Sequence, residues 1–307
     1  MHCLPMLALL LTMSGAVAAA QVAAPTVFAP GVVSGPDDEG AAAFAPDGSA
    51  VYFMHSVGDG GDILESHRIG TRWSTPRTAP FSGHWRDLDP AMAPDGSYLV
   101  FVSNRPAAGH GAPIDAVRGT RRTPGHGMNL WRVARQGSGW GTPVRLPDAV
   151  NSCSMSFAPS IAADGSLYYI GCAPDDSLHL KHATFRDGRY QTPELVALGD
   201  TDAQIRDPAV APDQSFMVVS IQRAPKQGHR LAIAFATPQG WSTPQDLGDA
   251  VNEGTHAMGA QLGPDHRTLY FYSDRRVPGE TADWNRQGDN IWQVSLAPWL
   301  EQHPTRP

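Results

Sequence analysis

Charged residues make up only 17% of this 307-residue chain, and several kinds of segment are missing from it. No apolar run approaches the roughly 20 residues that a membrane-spanning helix requires. No stretch keeps a 3.6-residue period, so helical folds lose their main support. No linker of changed composition divides the chain, which argues against the two domains that length alone would suggest. Familiar catalytic signatures are missing too. Without a Gly-x-Ser-x-Gly elbow a serine hydrolase is disfavoured, and there is no phosphate loop or dinucleotide fingerprint. The histidines form no His-x-x-x-His or His-Glu-x-x-His pattern. A formal charge of −7 with no basic stripe argues against nucleic acid or an anionic membrane as main partner.

Cysteine is rare, at three residues, and their positions are informative. Cys3 lies ahead of a short apolar core formed by residues 7–11 and Met13, followed by small residues up to Ala20. Residues 1–20 therefore read as an export signal, cleaved near Ala18 or Ala20, although its first residues carry no Lys or Arg. The expected mature protein is soluble and periplasmic or secreted. Its two remaining cysteines, Cys153 and Cys172, flank one predicted hairpin almost symmetrically. A disulfide is the natural expectation in an oxidising compartment, and two unpaired thiols are the alternative.

What the chain has in quantity is turns. One phrase occurs five times: a small-residue approach, a Pro-Asp-Gly-like turn and a hydrophobic run, with the turn aspartates at Asp47, Asp95, Asp164, Asp213 and Asp265. Each copy is a hairpin signal. A third strand follows at residues 62–68, 129–134, 177–183, 230–236 and 290–294. An aromatic-x-x-Pro marks a fourth, as Trp73 and Pro76, Trp140 and Pro143, Tyr190 and Pro193, and Trp241 and Pro244. The fifth unit lacks its fourth strand, and residues 27–33, with Pro30 in the matching slot, are expected to supply it from the N-terminus. The predicted fold is all-β: a single five-bladed β-propeller of four-stranded antiparallel blades over residues 21–298, with a tail at 299–307. Closing the ring would remove two exposed sheet edges.

The repeat also serves as a ruler. Residues 106–127 are an excess of about 20 between second and third strands, and residues 276–288 are a smaller one. Both belong on the face that also carries the links between blades, where loop growth marks a working surface. His84, His110, His126 and His229 fall in loops of that face, as does the small basic patch at residues 118–122.

Two repeats carry a further pattern. Ala93-Pro94-Asp95-Gly96 leads to Ser103-Asn104-Arg105-Pro106 and Asn129-Leu130-Trp131, and Gly263-Pro264-Asp265 leads to Ser273-Asp274-Arg275 and Asn290-Ile291-Trp292. This pattern resembles the WD-repeat-like family of TolB-like and OmpA-associated periplasmic propellers, over nearly all of residues 26–294. The resemblance implies the fold specifically and the function weakly, since the family's shared residues are mostly structural. TolB itself would imply six blades and an added N-terminal domain, neither of which the repeats here show, so its partner contacts are not carried over.

The candidate site lies where the innermost strands begin, around the mouth of the central channel. Asp38 and Glu39, Asp87 and Asp89, Ser154 and Ser156, Arg206 and Asp207, and Glu253 and His256 occupy those positions. They can merely solvate a wet channel. They can also bind a ligand, with Glu39, Asp87, Asp89, Arg206, Asp207 and His256 leading, or hold a structural metal ion in the channel; no other cofactor is expected. The favoured reading is a monomeric, non-enzymatic binding or scaffold protein of the cell envelope, taking a protein, peptide or cell-wall glycan on the looped face. The alternative is a glycan-active hydrolase using Asp87, Asp89, Asp207 and Glu253. The turn aspartates are expected to be structural.

Overall fold

The computed structural model describes residues 24–199, 203–281, 284 and 288–303. The expected export signal lies outside them. The architecture is the five-bladed propeller, with blades whose strands run outward from the channel in chain order. The first blade is Asp38–Phe44, Ala50–Ser56, Asp62–Ile69 and Arg77–Thr78. The second is Asp87–Met92, Tyr98–Ser103, Asn129–Gln136 and Val144–Arg145, and the third is Phe157–Ile161, Leu167–Cys172, Leu178–Ala183 and Glu194–Leu195. Gln204–Val210, Phe216–Gln222, Arg230–Thr237 and Gln245–Asp246 make the fourth. The fifth takes Ala257–Leu262, Thr268–Ser273 and Asn290–Ser295 from the C-terminal end and Thr26–Val27 from the other end.

That closure matches the expectation in kind but not in register. Thr26 and Val27 pair with Gln293 and Trp292, as Arg77 and Thr78 pair with Glu65 and Leu64 in the first blade. The residue after each pair then donates its N–H inward: Phe28 to the Ile291 carbonyl, Ala79 to that of Ile63. The proline in the matching slot is therefore Pro25. Pro30 lies beyond the strand in a tight turn bridged to Ser34.

The second strands are buried on both faces because each blade is sandwiched between two others. Tyr52, Phe53, Phe101, Tyr169 and Phe271 are completely buried. Side chains of this size contribute about 1.5–3 kcal/mol each on burial. Each turn aspartate accepts the backbone N–H two residues on: Ser49 for Asp47, Ser97 for Asp95, Ser166 for Asp164, Ser215 for Asp213 and Arg267 for Asp265. These aspartates are turn residues, as expected. Cys153 and Cys172 form a disulfide with their Cα atoms 6.2 Å apart. No helix among the described residues is long and apolar enough to cross a membrane. The short helix Ala297–Leu300 buries Trp299 against the fourth and fifth blades.

Candidate functional site at the channel mouth

Every innermost strand carries a register shift against its neighbour, between Gly40 and Ala43, Leu88 and Ala91, Phe157 and Ser160, Arg206 and Ala209, and Met258 and Gln261. Each shift holds one residue in the left-handed region: Ala41 at φ 49°, Asp89 at 46°, Ala158 at 51°, Asp207 at 48° and Gly259 at 62°. Such bulges re-aim side chains and bend the strand. For residues other than glycine they also cost of order 1–3 kcal/mol, so the surrounding ring must enforce them.

Together the five make a collar around the mid-channel. Asp89 Oδ2 accepts the Ala158 N–H at 3.2 Å, and Asp207 Oδ2 accepts the Gly259 N–H at 3.2 Å. Each carboxylate thus staples its blade to the next one. Burial, and then the charge of Asp207, push the Asp89 carboxyl up to about 7. Burial raises Asp207 as well. The space between them is only about 10 Å³, far too small for a sugar ring.

Other expected site residues do not line this constriction. Asp87 is fully buried within its blade, where it accepts Arg105 Nη2 at 2.8 Å and the Ser82 hydroxyl at 2.9 Å. The Arg105 guanidinium also bonds the Ser103 hydroxyl and the Phe81 carbonyl, and lies over the Phe101 and Trp131 rings. Glu253 is the counterpart in the fifth blade, paired with Arg275, whose guanidinium lies over Trp292. The two arginines of the sequence pattern are therefore clamps buried in their blades, one holding the buried Asp87 and the other the exposed Glu253. Ser156 is buried and donates to the Val150 carbonyl. Ser154 accepts the Val117 N–H of the long loop. Arg206 places its guanidinium 5.8 Å from the Phe157 ring centroid.

What does converge is a cluster at the junction of the first and fifth blades. His256 Nε2–H donates to both oxygens of Asp289, at 2.7 and 2.9 Å. That bond outweighs the desolvation opposing it and raises the imidazole above its ordinary range. The Asp289 N–H donates to Asp38 Oδ1 at 3.1 Å, and Glu39 N–H donates to the Asp289 carbonyl at 2.9 Å. Burial dominates in raising Asp38, and in raising Glu39 to about 7. Tyr272 fills the space above Gly40 and Gly259: a Cβ on Gly259 would sit 2.1 Å from its ring and one on Gly40 2.7 Å. Burial, with Asp207, Asp89, Asp289 and Asp38 nearby, keeps the Tyr272 hydroxyl protonated. His229, His256, Tyr272 and Asp289 line an open cleft of about 510 Å³. His229 is pushed down to about 4 by burial and by the charges of Arg206 and His256.

Sequence reasoning found His256, Asp38 and Glu39 but missed Tyr272, Asp289 and, beside them, Asp37 and His55. Asp289 immediately precedes the third strand of the fifth blade, and Tyr272 lies in its second strand opposite Met258, so neither falls at the start of an innermost strand.

A second cleft, of about 680 Å³, opens where the long loop of the second blade folds over. Ala116–Arg118 and Arg121–Thr123 form a hairpin within it. Arg86, Arg118, Arg121 and His126 line the cleft together with Asp175 and Asp176, and Asp176 Oδ2 accepts the Gly119 N–H at 3.2 Å.

Comparison with solved structures gives likeness in fold. The chain is similar to a thermostable family-43 glycoside hydrolase (TM-score 0.51, 11% identity, covering 83% of this chain and 88% of that one). It is also similar to a protein described as a TolB from Agrobacterium tumefaciens (0.48, 14%, 80% and 73%) and to TolB from Acinetobacter baumannii (0.42, 18%, 67% and 45%). The chain thus spans under half the length of the Acinetobacter protein. No family model and no curated protein matches it.

Proposed function

We propose that this is an exported, non-enzymatic binding propeller of the cell envelope, taking a protein or peptide partner on its looped face. The observation that carries this reading is the fate of the four candidate carboxylates. Asp87 is held by an arginine inside its blade, the exposed Glu253 is paired to Arg275, and Asp89 and Asp207 brace a constriction too tight for a sugar. Paired-carboxylate hydrolysis needs two groups flanking an accessible bond, and these four do not offer that.

The looped face offers two open clefts, each lined by charges of both signs. One is lined by Lys226, His229, His256 and Asp289, with Asp38 and Asp274 bonded to its lining residues, and the other by Arg86, Arg118 and Arg121 with Asp175 and Asp176. Such a surface favours a partner carrying both charges and gives it orientation through electrostatic complementarity. The disulfide fits the oxidising compartment that an export signal would lead to.

The test is partner recovery by tagged mature protein carrying Arg118→Glu and Arg121→Glu, set against Arg267→Glu on the turn face. The double change should abolish recovery and the control should preserve it. Equal recovery from both variants contradicts the reading, as does turnover of an oligosaccharide by the purified protein.

A further inference from the structure

The strand register of the first blade gathers a donor set that the proposed partner surface does not use. Glu39 and His55 are directly opposed on the first and second strands. Cross-strand partners share a face of the sheet, and Asp37 lies in the bend immediately before the first strand. One donor atom from each of Asp37, Glu39 and His55 lies within 4.8 Å of the others. His55 Nε2 and Asp37 Oδ2 are 3.4 Å apart. That is long for a hydrogen bond, yet two ligands of a tetrahedral ion with bonds of about 2.0–2.1 Å stand about 3.3 Å apart.

Glu39 adds an independent observation. Its side chain is only 5% exposed. One oxygen, Oε2, is oriented by the Gly35 N–H at 3.0 Å, and the other accepts no hydrogen bond among the described residues. No lysine or arginine among the described residues pairs with Asp37, Asp38 or Glu39; among those residues the three make one ion pair, from Asp37 to His55. A buried carboxylate beside two more, without a fixed cation, is costly unless a cation is supplied.

We propose that Asp37, Glu39 and His55 bind a divalent transition-metal ion, with Zn²⁺ the best match to one imidazole and two carboxylates. Asp37 is 60% exposed, so the ion faces the looped surface and keeps at least one position for water or a partner's donor group. Gly35 acts as the outer support that orients Glu39. The site is coupled to the neighbouring cleft through Glu39 N–H and the Asp289 carbonyl, at 2.9 Å.

Calorimetric titration of chelator-stripped, tag-free mature protein with Zn²⁺, Mn²⁺ and Ca²⁺ tests this. One equivalent of Zn²⁺ should bind with a Kd of about 1 μM or tighter, ahead of the other two ions, and raise the melting temperature. His55→Gln and Asp37→Asn should each weaken binding about tenfold or more, while His229→Gln and His256→Gln leave it unchanged. Asp37 is exposed, so its variant reads binding even where Glu39→Gln misfolds. Absent or superstoichiometric binding, a preference for Ca²⁺, or binding lost with His229 or His256 overturns the assignment.

Discussion

Asp87 and Asp89 are two residues apart and have opposite fates, and a bulge separates them. In an unbroken strand, residues two apart face the same side. The register shift between Leu88 and Ala91 breaks that rule, sending Asp87 to the Arg105 clamp and Asp89 to the channel. Asp87→Ala should destabilise the protein by about 3–5 kcal/mol, because it strands a buried guanidinium. Asp148→Ala, which removes an exposed partner of Arg145, should cost under about 1 kcal/mol. Urea denaturation separates the two. Asp89 makes a prediction of opposite sign. Its folded-state pKa is raised, so the folded protein holds that proton more tightly than the unfolded chain does. Stability from this group is therefore full below about pH 4 and is lost as pH rises towards 7. Asp89→Asn should raise the melting temperature at pH 8, by on the order of 2 kcal/mol of stability, and change it little at pH 4. A larger gain at pH 4 would contradict this.

At the scale of the strand and the blade, much was legible. The turn phrase located the hairpin between the first and second strands of each blade, and the missing outer strand of the fifth unit predicted a closing strand from the N-terminus. The error from Pro30 to Pro25 arose because both prolines follow small residues and only pairing registers them. The mouth was legible as a region but not as a list of contacts. Counting outward from a turn fails at a bulge, and five left-handed residues lie just beyond the strand starts. His55 and Tyr272 were invisible for another reason: they come from second strands, whose apolar runs drew attention to packing. Gly259→Ala tests how tightly Tyr272 depends on the bulge. It combines a φ of 62° with a Cβ 2.1 Å from the ring, so it should cost about 2 kcal/mol or more. Gly70→Ala has a similar φ of 62° and open space, and should cost about 1 kcal/mol. Similar losses at both positions would deny the ring contact any weight.

Across the whole molecule, the propeller divides its two faces by chemistry. The turn face is a repeated set of aspartate-capped hairpins over an apolar channel end lined by Pro46, Pro94, Pro212 and Pro264. The looped face carries the disulfide, the long insertion, both clefts and the Asp37, Glu39 and His55 cluster. Opening the disulfide by Cys153→Ser with Cys172→Ser should cost about 3 kcal/mol, from the loop it closes at a sequence separation of 19. The loss should appear in thermal unfolding without disturbing the other blades' strand content. The proposed function requires recognition to belong to one face. A photo-crosslinking residue placed singly at His84, Arg118 or Gly279 on the looped face, and at Gln214 or His266 on the turn face, tests it directly in envelope preparations. A discrete crosslinked partner should form from looped-face positions and none from turn-face positions. The same adduct from both faces, or from the turn face alone, would contradict it.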